Sequence, residues 1–201
     1  MAPIHAEGIA AEALVLDIGG IHAVRSALGE MEAFGIVFNS AGLARHSAAL
    51  ETTEQSYDAV MGVNLRAAYF LSIETVRAMI DVRRPGSVIH VSSQMGHVGG
   101  FDRGVYYASK HWLEGMVKAM AIEWGSHGIR INTIAPTFVD TPLGQATLQN
   151  SERRAWIEDK IKLGRFAKIE DTMGAIAWLS SDAAAMVTGT SILIDGGWTA
   201  G

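Results

Sequence analysis

The clearest indication of the fold is the stretch Gly86-Ser87-Val88-Ile89-His90-Val91-Ser92-Ser93. Its centre is a continuous run of mainly β-branched residues, which is typical of a strand buried on both faces of a parallel sheet. Two hydroxyl side chains follow directly, and open parallel sheets bind their ligands beyond the carboxyl ends of such strands. The stretch therefore predicts a central strand that ends at a binding site. Because His90 lies inside the apolar run, we expect it to be a core histidine.

Similar apolar runs alternate along the chain with segments of helical periodicity, which is the pattern of a parallel sheet covered by helices. We therefore predict an α/β Rossmann-like fold with a parallel sheet and helices on both faces, as one domain over residues 1–201. In the helix after the central strand, Glu114 is predicted to lie on the polar face, opposite an apolar stripe. The predicted strands are Ala13–Asp17, Gly35–Phe38, Ser87–Val91, Ile129–Ile134 and Ser191–Ile194.

The composition argues against several classes of protein. The 201 residues are 49% hydrophobic with a formal net charge of −5, and no cluster of Lys and Arg indicates a nucleic-acid partner. The chain has no cysteine, and none of its seven histidines has the spacing of a metal site. No apolar run reaches membrane-spanning length, and the first residues do not resemble a signal peptide. We therefore expect a cytoplasmic protein without nucleic acid, membrane or metal as partner.

Tyr106 and Lys110 form the first motif that carries chemistry. Positions four residues apart lie on one face of a helix, so the ammonium is expected beside the phenol, where it lowers the pKa of the tyrosine. A free tyrosine has a pKa near ~10 and exchanges protons poorly at neutral pH, so this shift would make it a useful acid or base. A solvated surface pair is the alternative interpretation. Tyr107 and His111 form a second pair with the same spacing.

The combination of Ser93 with Tyr106 and Lys110 resembles the short-chain dehydrogenase/reductase family, whose signature is Tyr-x-x-x-Lys preceded by a serine. Ser93 rather than Ser92 has the distance to the tyrosine that the family shows. The resemblance implies that Tyr106 is the general acid/base, that Lys110 lowers its pKa and holds the cofactor ribose, and that Ser93 positions the substrate oxygen. Asn64 interrupts an apolar helical stripe and matches the family's fourth catalytic residue, which supports a proton relay to the lysine. A hydrogen-bonded structural Asn is the alternative.

The resemblance also implies NAD or NADP as the cofactor, without indicating which. Two segments are similar to family loops that border it: Asn39-Ser40-Ala41-Gly42, and the stretch that begins at Arg130. Thr137 replaces the usual Gly of the second loop, so we expect the local turn to be adjusted. Besides Tyr106 and Lys110, the cofactor contacts implied by these two loops are Asn39, Ala41, Gly42, Pro136, Thr137, Val139 and Thr141.

The glycine-rich loop that receives the cofactor pyrophosphate in this family, Thr-Gly-x-x-x-Gly-x-Gly, has no counterpart in the sequence. The first predicted strand, Ala13–Asp17, resembles the family's third strand, where Asp17 would contact the adenine ring and Ile18 would lie nearby. The fold is thus expected to be N-terminally incomplete, without the first two βα units. The first strand should then either pair directly with Gly35–Phe38 or be detached from the sheet. Gly19-Gly20 lacks the spacing needed to replace the loop.

The loop after the central strand indicates the substrate. Residues 92–100 resemble the loop of members that act on sugars and sugar acids, and Gln94 and His97 are expected substrate contacts, with a solvent-exposed loop residue as the alternative for His97. The expected activity interconverts a secondary alcohol and a ketone on a sugar, a sugar acid or a similar small polar molecule. Reduction of 3-oxoacyl thioesters is the alternative activity. A second alternative is a catalytically impaired remnant or an interaction subunit.

Two further expectations concern the surroundings of the site. The family packs the helix that carries the tyrosine against a symmetry mate, so we expect a homo-oligomer, a dimer or a tetramer. Residues 141–164 are expected to form a mobile helical lid over the site.

Overall fold

The computed structural model describes residues 10–141 and 150–201. Its sheet has four parallel strands in the order β1-β2-β3-β4. The register places Val88 of β2 opposite Val37 of β1 and Ile131 of β3. The prediction of an α/β fold with a parallel sheet is therefore confirmed. The strands are β1 Ile36–Asn39, β2 Gly86–Val91, β3 Ile129–Pro136 and β4 Ser191–Ile194.

Helices connect the strands, and the helix between β2 and β3, with 21 residues, is the longest that the structure describes. A helical stretch between β1 and β2 contains a π-helical segment, Gly62–Ala67, between two α-helices. The tyrosine and lysine of the motif lie on the helix between β2 and β3. The α-helices are α1 Ile21–Gly29, α2 Glu54–Met61, α3 Ala68–Asp81, α4 Gly104–Trp124, α5 Ser151–Lys160 and α6 Glu170–Ser180.

The sheet has an apolar layer on each face, as strands buried on both sides require. Val88 and Ile131 pack with residues of α3 and α4 on one face. Ile89 and Ile134, whose side chains point to the other face, pack with Leu179 of α6. Helices therefore cover both faces, and the carboxyl ends of β1, β2 and β3 open between these two layers.

The predicted strand Ala13–Asp17 is not a strand in the structure. Residues 10–17 have no regular secondary structure, and Leu14 and Val15 are exposed. Of the two outcomes expected for this segment, detachment is the one observed. The physical reason is that a strand gains its hydrogen bonds from a neighbour, and none of the described ladders pairs this segment with β1.

The fold also bears on two other predictions, the polar position of Glu114 and the helical lid over residues 141–164. Glu114 is buried rather than solvated, because its carboxylate accepts hydrogen bonds from Thr133 of β3 and Ser191 of β4. The expected lid lies partly outside the described residues, and its later part contains α5. Among the helices that the structure describes, none has the length and apolar character needed to cross a membrane.

Candidate active site

Ser93, Tyr106 and Lys110 meet at the carboxyl end of β2. Ser93 follows the strand and caps a short 3₁₀ turn, where its Oγ accepts from the Met95 N–H at 3.1 Å and donates to Gln94 Oε1 at 2.7 Å. The Tyr106 phenol is hydrogen-bonded to the same Ser93 side chain. Lys110, one turn further along α4, is buried and places its Nζ 5.5 Å from the centre of the Tyr106 ring. The sequence motif thus becomes one cluster in space.

The electrostatics of this cluster differ from the expectation. Burial raises the pKa of Tyr106 above its usual value, while the hydrogen bond to Ser93 and the charge of Arg103 oppose the rise. The Lys110 ammonium lies over the ring and donates to the Val91 carbonyl at 2.8 Å. Burial also lowers the pKa of Lys110 to about 8. The net effect of the surroundings on the pKa of Tyr106 is therefore upward in the protein alone, and the lowering by the lysine stays a prediction.

Asn64 lies in the π-helical segment and is almost completely buried. Its side chain holds the backbone of Leu43 from both sides: the Leu43 N–H donates to Oδ1 at 2.7 Å, and Nδ2 donates to the Leu43 carbonyl at 2.9 Å. A third hydrogen bond runs from Nδ2 to Ser109 Oγ at 3.0 Å. π-helical segments occur frequently at functional sites. Asn64 thus fixes the loop after β1 against the helix that carries Tyr106.

The Asn39 loop is braced by a buried histidine. Asn39 Oδ1 accepts from the Ala41 N–H at 3.1 Å, while its Nδ2 lies 3.1 Å from His90 Nδ1. His90 Nε2 lies 2.9 Å from Ser72 Oγ, which donates its own proton to the Ala68 carbonyl. The histidine is therefore neutral with its proton on Nε2, and burial lowers its pKa to about 4. His90 is a core residue, as the sequence predicted, and connects the loop to α3.

A cavity of about 460 Å³ opens beside Ser93 and Tyr106. Three residues that line it have a buried polar side-chain atom without a hydrogen-bond partner: Ser92 Oγ, Gln94 Nε2 and Thr137 Oγ1. Thr137 keeps an ordinary backbone conformation, since Arg83 and Asp102 are the non-glycine residues with positive φ in the described part of the chain. The predicted contacts on this wall are Gln94, Pro136, Thr137, Val139 and Thr141.

His97 does not face this cavity, contrary to the expectation of a substrate contact. Its Nε2 lies 3.0 Å from Ser191 Oγ and 3.5 Å from the buried carboxylate of Glu114. The carboxylate of Glu114 and the hydroxyl of Ser191 come from distant parts of the chain. They hold the His97 ring next to α4 and β4. His97 is thus also not a free loop residue, since both partners hold it.

The alternative pair, Tyr107 and His111, is separated from the cluster. His111 Nδ1 donates to the backbone carbonyl of Tyr107 at 2.9 Å and not to its phenol. The Tyr107 hydroxyl lies against Gly100, where a Cβ at that glycine would collide with it. Tyr107 also lines a second, neighbouring cavity of about 410 Å³. Its position offers no proton path to Ser93.

The predicted adenine contacts, Asp17 and Ile18, do not lie on the cavity wall as the structure describes it. Asp17 forms the turn before α1: its Oδ1 accepts from the Gly19 N–H at 2.9 Å and its carbonyl accepts from the Gly20 N–H at 3.0 Å. Because the expected strand is absent, nothing aligns these residues with the carboxyl end of the sheet. By contrast, Asn39 is the last residue of β1, and Ala41 and Gly42 come directly after the strand. A Cβ on Gly42 would lie 3.9 Å from Lys110 Nζ.

Two residues that no sequence motif indicated, Arg103 and His46, also line the main cavity. Arg103 immediately precedes α4, and its guanidinium lies 5.2 Å from the centre of the Phe138 ring. His46 comes from the loop after β1, which no local motif connects to the site. Arg103 had a readable signal, because it lies three residues before Tyr106 and hence one helical turn away on the same side.

Comparison with known proteins supports a common origin for this arrangement. A family model described as Enoyl-(Acyl carrier protein) reductase matches residues 4–199. L-xylulose reductase of Bos taurus is 36% identical over 189 residues, which cover 94% of this chain and 78% of the relative. The 2-dehydro-3-deoxy-D-gluconate 5-dehydrogenase of Escherichia coli (strain K12) is 36% identical over 184 residues, which cover 91% of this chain and 73% of the relative.

Solved structures agree with these relatives. A putative NAD(P) dependent gluconate 5-dehydrogenase from Beutenbergia cavernae, with bound NADP, superimposes with a TM-score of 0.95 at 33% identity and covers 100% of this chain and 81% of its own. A gluconate 5-dehydrogenase from Burkholderia cenocepacia in complex with NADP and tartrate gives a TM-score of 0.96 at 27% identity, with coverages of 100% and 80%. The chain therefore belongs to the short-chain dehydrogenase/reductase family.

Proposed function

We propose that the protein is an NAD(P)-dependent oxidoreductase that interconverts a secondary alcohol and a ketone on a sugar, a sugar acid or a similar small polar molecule. The observation that carries the proposal is the hydrogen-bonded pair of Ser93 and Tyr106 on the wall of the cavity, with the Lys110 ammonium behind the phenol. Relatives named for L-xylulose and for 2-dehydro-3-deoxy-D-gluconate support a small polar substrate.

Each side chain of the cluster has a distinct role in this proposal. Tyr106 donates a proton to the carbonyl oxygen in reduction and accepts it from the alcohol in oxidation. Ser93 donates a hydrogen bond to the same oxygen and fixes its position. Lys110 places its ammonium 5.5 Å from the centre of the Tyr106 ring, where its positive charge would favour the tyrosinate against the effect of burial. Asn64 supports the proton relay by holding the loop after β1 in place.

The residues around the cavity fit the nicotinamide end of NAD(P). Thr137 lines the cavity, and its hydroxyl is buried without a partner, so this side chain would have to turn toward the cavity to bond the amide of a nicotinamide. Lys110 and the loop with Asn39, Ala41 and Gly42 would hold the adjacent ribose. When bound, the cofactor supplies or accepts the hydride. Asp17 and Ile18 stay proposed adenine contacts, which requires the segment before α1 to move toward the carboxyl end of the sheet. Asp17 would then exchange the hydrogen bond that it accepts from the Gly19 N–H for one from the ligand.

Replacement of the phenol tests the chemistry directly. Tyr106→Phe removes the proton donor while leaving the ring in place, so we expect the rate of ketone reduction to fall by roughly 10² to 10⁴. Nicotinamide absorbance follows the reaction with a panel of sugar acids, ketoses and acyl ketones, each with NAD(H) and NADP(H). Tyr107→Phe is the matched control and should retain activity. Equal losses in the two variants would contradict the assignment of Tyr106.

The same panel decides between the alternatives. Turnover of acyl ketones alone would replace the sugar or sugar-acid reading with 3-oxoacyl reduction. Thermal unfolding in the presence of NAD or NADP tests the inert remnant, because a ligand that binds only the folded state stabilises it by RT ln(1 + [L]/Kd). A Tm that does not change at millimolar cofactor, together with no turnover, would favour the inert remnant.

We also propose that the protein is a homo-oligomer, as expected from the family. Trp112 and Ile122 of α4 are partly and largely exposed, respectively, and contact with a second copy would bury such apolar surface. Light scattering coupled to size-exclusion chromatography measures the mass in solution. A mass equal to the 21.5 kDa of one chain would contradict this proposal.

A further inference from the structure

The helix α4 carries a second buried charge, one turn beyond Lys110. Lys110 and Glu114 are four residues apart, so both side chains leave the same face of the helix, and both are buried. This face points to the sheet. Lys110 Nζ donates to the Val91 carbonyl at the end of β2. Glu114 accepts from Thr133 Oγ1 on β3, the neighbouring strand, so a cation and an anion lie one helical turn apart between α4 and the sheet.

The carboxylate of Glu114 is surrounded by hydrogen-bond donors from other parts of the chain. Thr133 Oγ1 lies 3.0 Å from each of its two oxygens, and Ser191 Oγ of β4 donates to Oε1 at 3.3 Å. Because Ser191 gives its proton to Glu114, its oxygen accepts from His97 Nε2 at 3.0 Å. His97 Nε2 is also 3.5 Å from Glu114 Oε1. Donors of this kind solvate a charged carboxylate, so the environment suits the ionised form of Glu114.

The direct contacts of Lys110 are to neutral groups. Its ammonium bonds the Val91 carbonyl and lies over the Tyr106 ring, and none of the ion pairs in the described part of the chain includes it. Burial lowers the pKa of Lys110 to about 8, and the charge of Glu114 opposes that fall. From the sheet, His90 also faces Lys110, but burial and the charge of Lys110 lower the pKa of this histidine to about 4. His90 is therefore neutral at pH 7, and Glu114 is the group that favours the charged lysine.

Glu114 also supports the short 3₁₀ turn that Ser93 caps. Gly96 of this turn packs closely on α4: a Cβ at Gly96 would lie 3.1 Å from the Lys110 carbonyl oxygen and 3.3 Å from Glu114 Cγ. His97, the next residue, places its Nε2 near the Glu114 carboxylate. Glu114 therefore lies at the point where the turn of the serine meets the helix of the tyrosine and the lysine.

We propose that Glu114 is a positioning residue of the active site, whose buried carboxylate keeps Lys110 charged beside Tyr106. It acts through space and touches neither substrate nor cofactor. Thr133 and Ser191 hold the carboxylate in place for this purpose. The inference rests on the proposed function for the role of the lysine, because a charged Lys110 is what favours the tyrosinate.

The titration of Lys110 tests this proposal directly. In protein labelled with ¹³C at the lysine Cε, each lysine gives an NMR signal that moves as its ammonium loses a proton, and the signal missing from Lys110→Met belongs to Lys110. We expect a midpoint at a pH of about 8 in the wild type. Glu114→Gln keeps an oxygen that accepts from Thr133 but removes the charge. The Lys110 midpoint should then fall by roughly 0.5 to 2 pH units, as for two unit charges roughly 6 Å apart in a partly buried site.

Glu123→Gln is the matched control, because it removes the same charge from an exposed position of α4. Its Lys110 midpoint should equal that of the wild type. Glu114→Asp restores a carboxylate on a side chain one methylene shorter, so its midpoint should lie above that of Glu114→Gln. The proposal is overturned if Glu114→Gln leaves the midpoint unchanged, if Glu123→Gln lowers it equally, or if Glu114→Asp lowers it as far as Glu114→Gln does.

A second variant decides the matter if Glu114→Gln does not fold. Lys110→Met/Glu114→Gln removes both charges, so it should fold if the single variant fails because Lys110 has lost its compensating charge. Circular dichroism measures folding. If the double variant also fails to fold, the hydrogen bonds with Thr133 and Ser191 account for Glu114, and the proposal is overturned.

Activity separates this inference from the proposed function. Ketone reduction needs the charged lysine, so its loss at alkaline pH should move to lower pH in Glu114→Gln by the same amount as the Lys110 midpoint. A lowered midpoint in Glu114→Gln, without any turnover that depends on Tyr106 in the wild type, would contradict the oxidoreductase and leave the effect of Glu114 on Lys110 standing. Turnover that depends on Tyr106, with an unchanged midpoint in Glu114→Gln, would do the reverse.

Discussion

At the scale of single residues, the site contains a cation whose burial opposes folding. Lys110 is 4% exposed, and its ammonium has the Val91 carbonyl as its acceptor at 2.8 Å. Burial lowers its pKa from 10.5 to about 8. Because the folded pKa is below the unfolded one, the charged lysine costs stability below pH 8, and this cost disappears as the pH rises from 8 to 10.5. The residue is thus kept for its chemistry and not for its contribution to the fold.

Lys110→Met should therefore stabilise the protein and abolish its activity. Removal of a desolvated charge stabilises the folded state, whereas loss of the hydrogen bond to the Val91 carbonyl destabilises it by a smaller amount. We therefore expect the free energy of unfolding to rise by about 1–2 kcal/mol at pH 7. Urea denaturation measures the change, and nicotinamide absorbance measures the loss of turnover. A variant that is less stable than the wild type at pH 7, or equally active, would contradict this account of Lys110.

His90 makes stability depend on pH in the acidic range. Its pKa falls from 6.5 to about 4 on folding. Between these two pH values the unfolded chain binds a proton at His90 and the folded state does not. Stability is therefore complete above pH 6.5 and declines as the pH falls toward 4, by up to about 3 kcal/mol from this residue. His90→Gln, which keeps groups that can bond Asn39 and Ser72, should flatten that decline in urea denaturation. His127→Gln, at an exposed histidine, should leave the wild-type slope unchanged.

At the scale of elements, the π-helical segment Gly62–Ala67 joins two parts of the site. It interrupts the helical stretch of α2 and α3 at the point where Asn64 must reach the loop after β1. The Asn64 side chain makes three hydrogen bonds there, two to the Leu43 backbone and one to Ser109 of α4. A loop, a helix and the catalytic helix thus depend on a single buried amide.

Asn64→Ala should cost more than the removal of an ordinary helix cap. It leaves the half-buried N–H and carbonyl of Leu43 without these partners, so we expect a loss of about 2–4 kcal/mol in the free energy of unfolding. Asn150→Ala removes the exposed cap of α5, which accepts from the Arg153 N–H at 2.9 Å, and should cost about 1 kcal/mol. Equal costs in denaturant unfolding would show that the Leu43 clamp does not carry this stability.

At the scale of the whole molecule, β1 is one of the two outer strands of the described sheet. Ile36 and Phe38, on this edge, are 51% and 42% exposed. Outer strands with apolar side chains and unpaired backbone groups offer a template for pairing with another chain. The half of the sheet that positions Ser93 is by contrast enclosed between helices. The outer strand β1 is thus more open to other molecules than the strand that positions Ser93.

Ile36→Lys should reduce aggregation of the chain without much change in its stability. A lysine on an outer strand opposes edge-to-edge pairing, and the side chain is already half exposed, so the free energy of unfolding should change by less than about 1 kcal/mol. Light scattering during heating measures aggregation. Leu50→Lys adds the same charge at an exposed residue outside the sheet and is the control. Equal suppression by both variants would assign the effect to net charge alone.

The parts of the molecule that the sequence predicted are those governed by local pattern. The strands at Ile36, Gly86, Ile129 and Ser191 follow from apolar runs, and the Ser93 cluster follows from spacing along one strand and one helix. The prediction of a strand at Ala13–Asp17 was wrong, because an apolar run becomes a strand only when a neighbouring strand pairs with it. The prediction that Glu114 lies on a polar, solvated face was wrong, because helical periodicity cannot reveal its hydrogen-bond partners Thr133 and Ser191, which come from distant strands.

The hydroxyl of Ser93 has a single proton, and the Gln94 carbonyl oxygen receives it at 2.7 Å. A substrate oxygen that takes this hydrogen bond must first displace Gln94, so every incoming molecule competes with a side chain that is already in place. Binding is then an exchange of acceptors, whose net gain is smaller than that of a new bond. An oxygen that accepts weakly loses this exchange. Gln94 Oε1 thus competes with the substrate oxygen for the Ser93 hydroxyl, and this competition disfavours poor substrates during binding, before the chemical step.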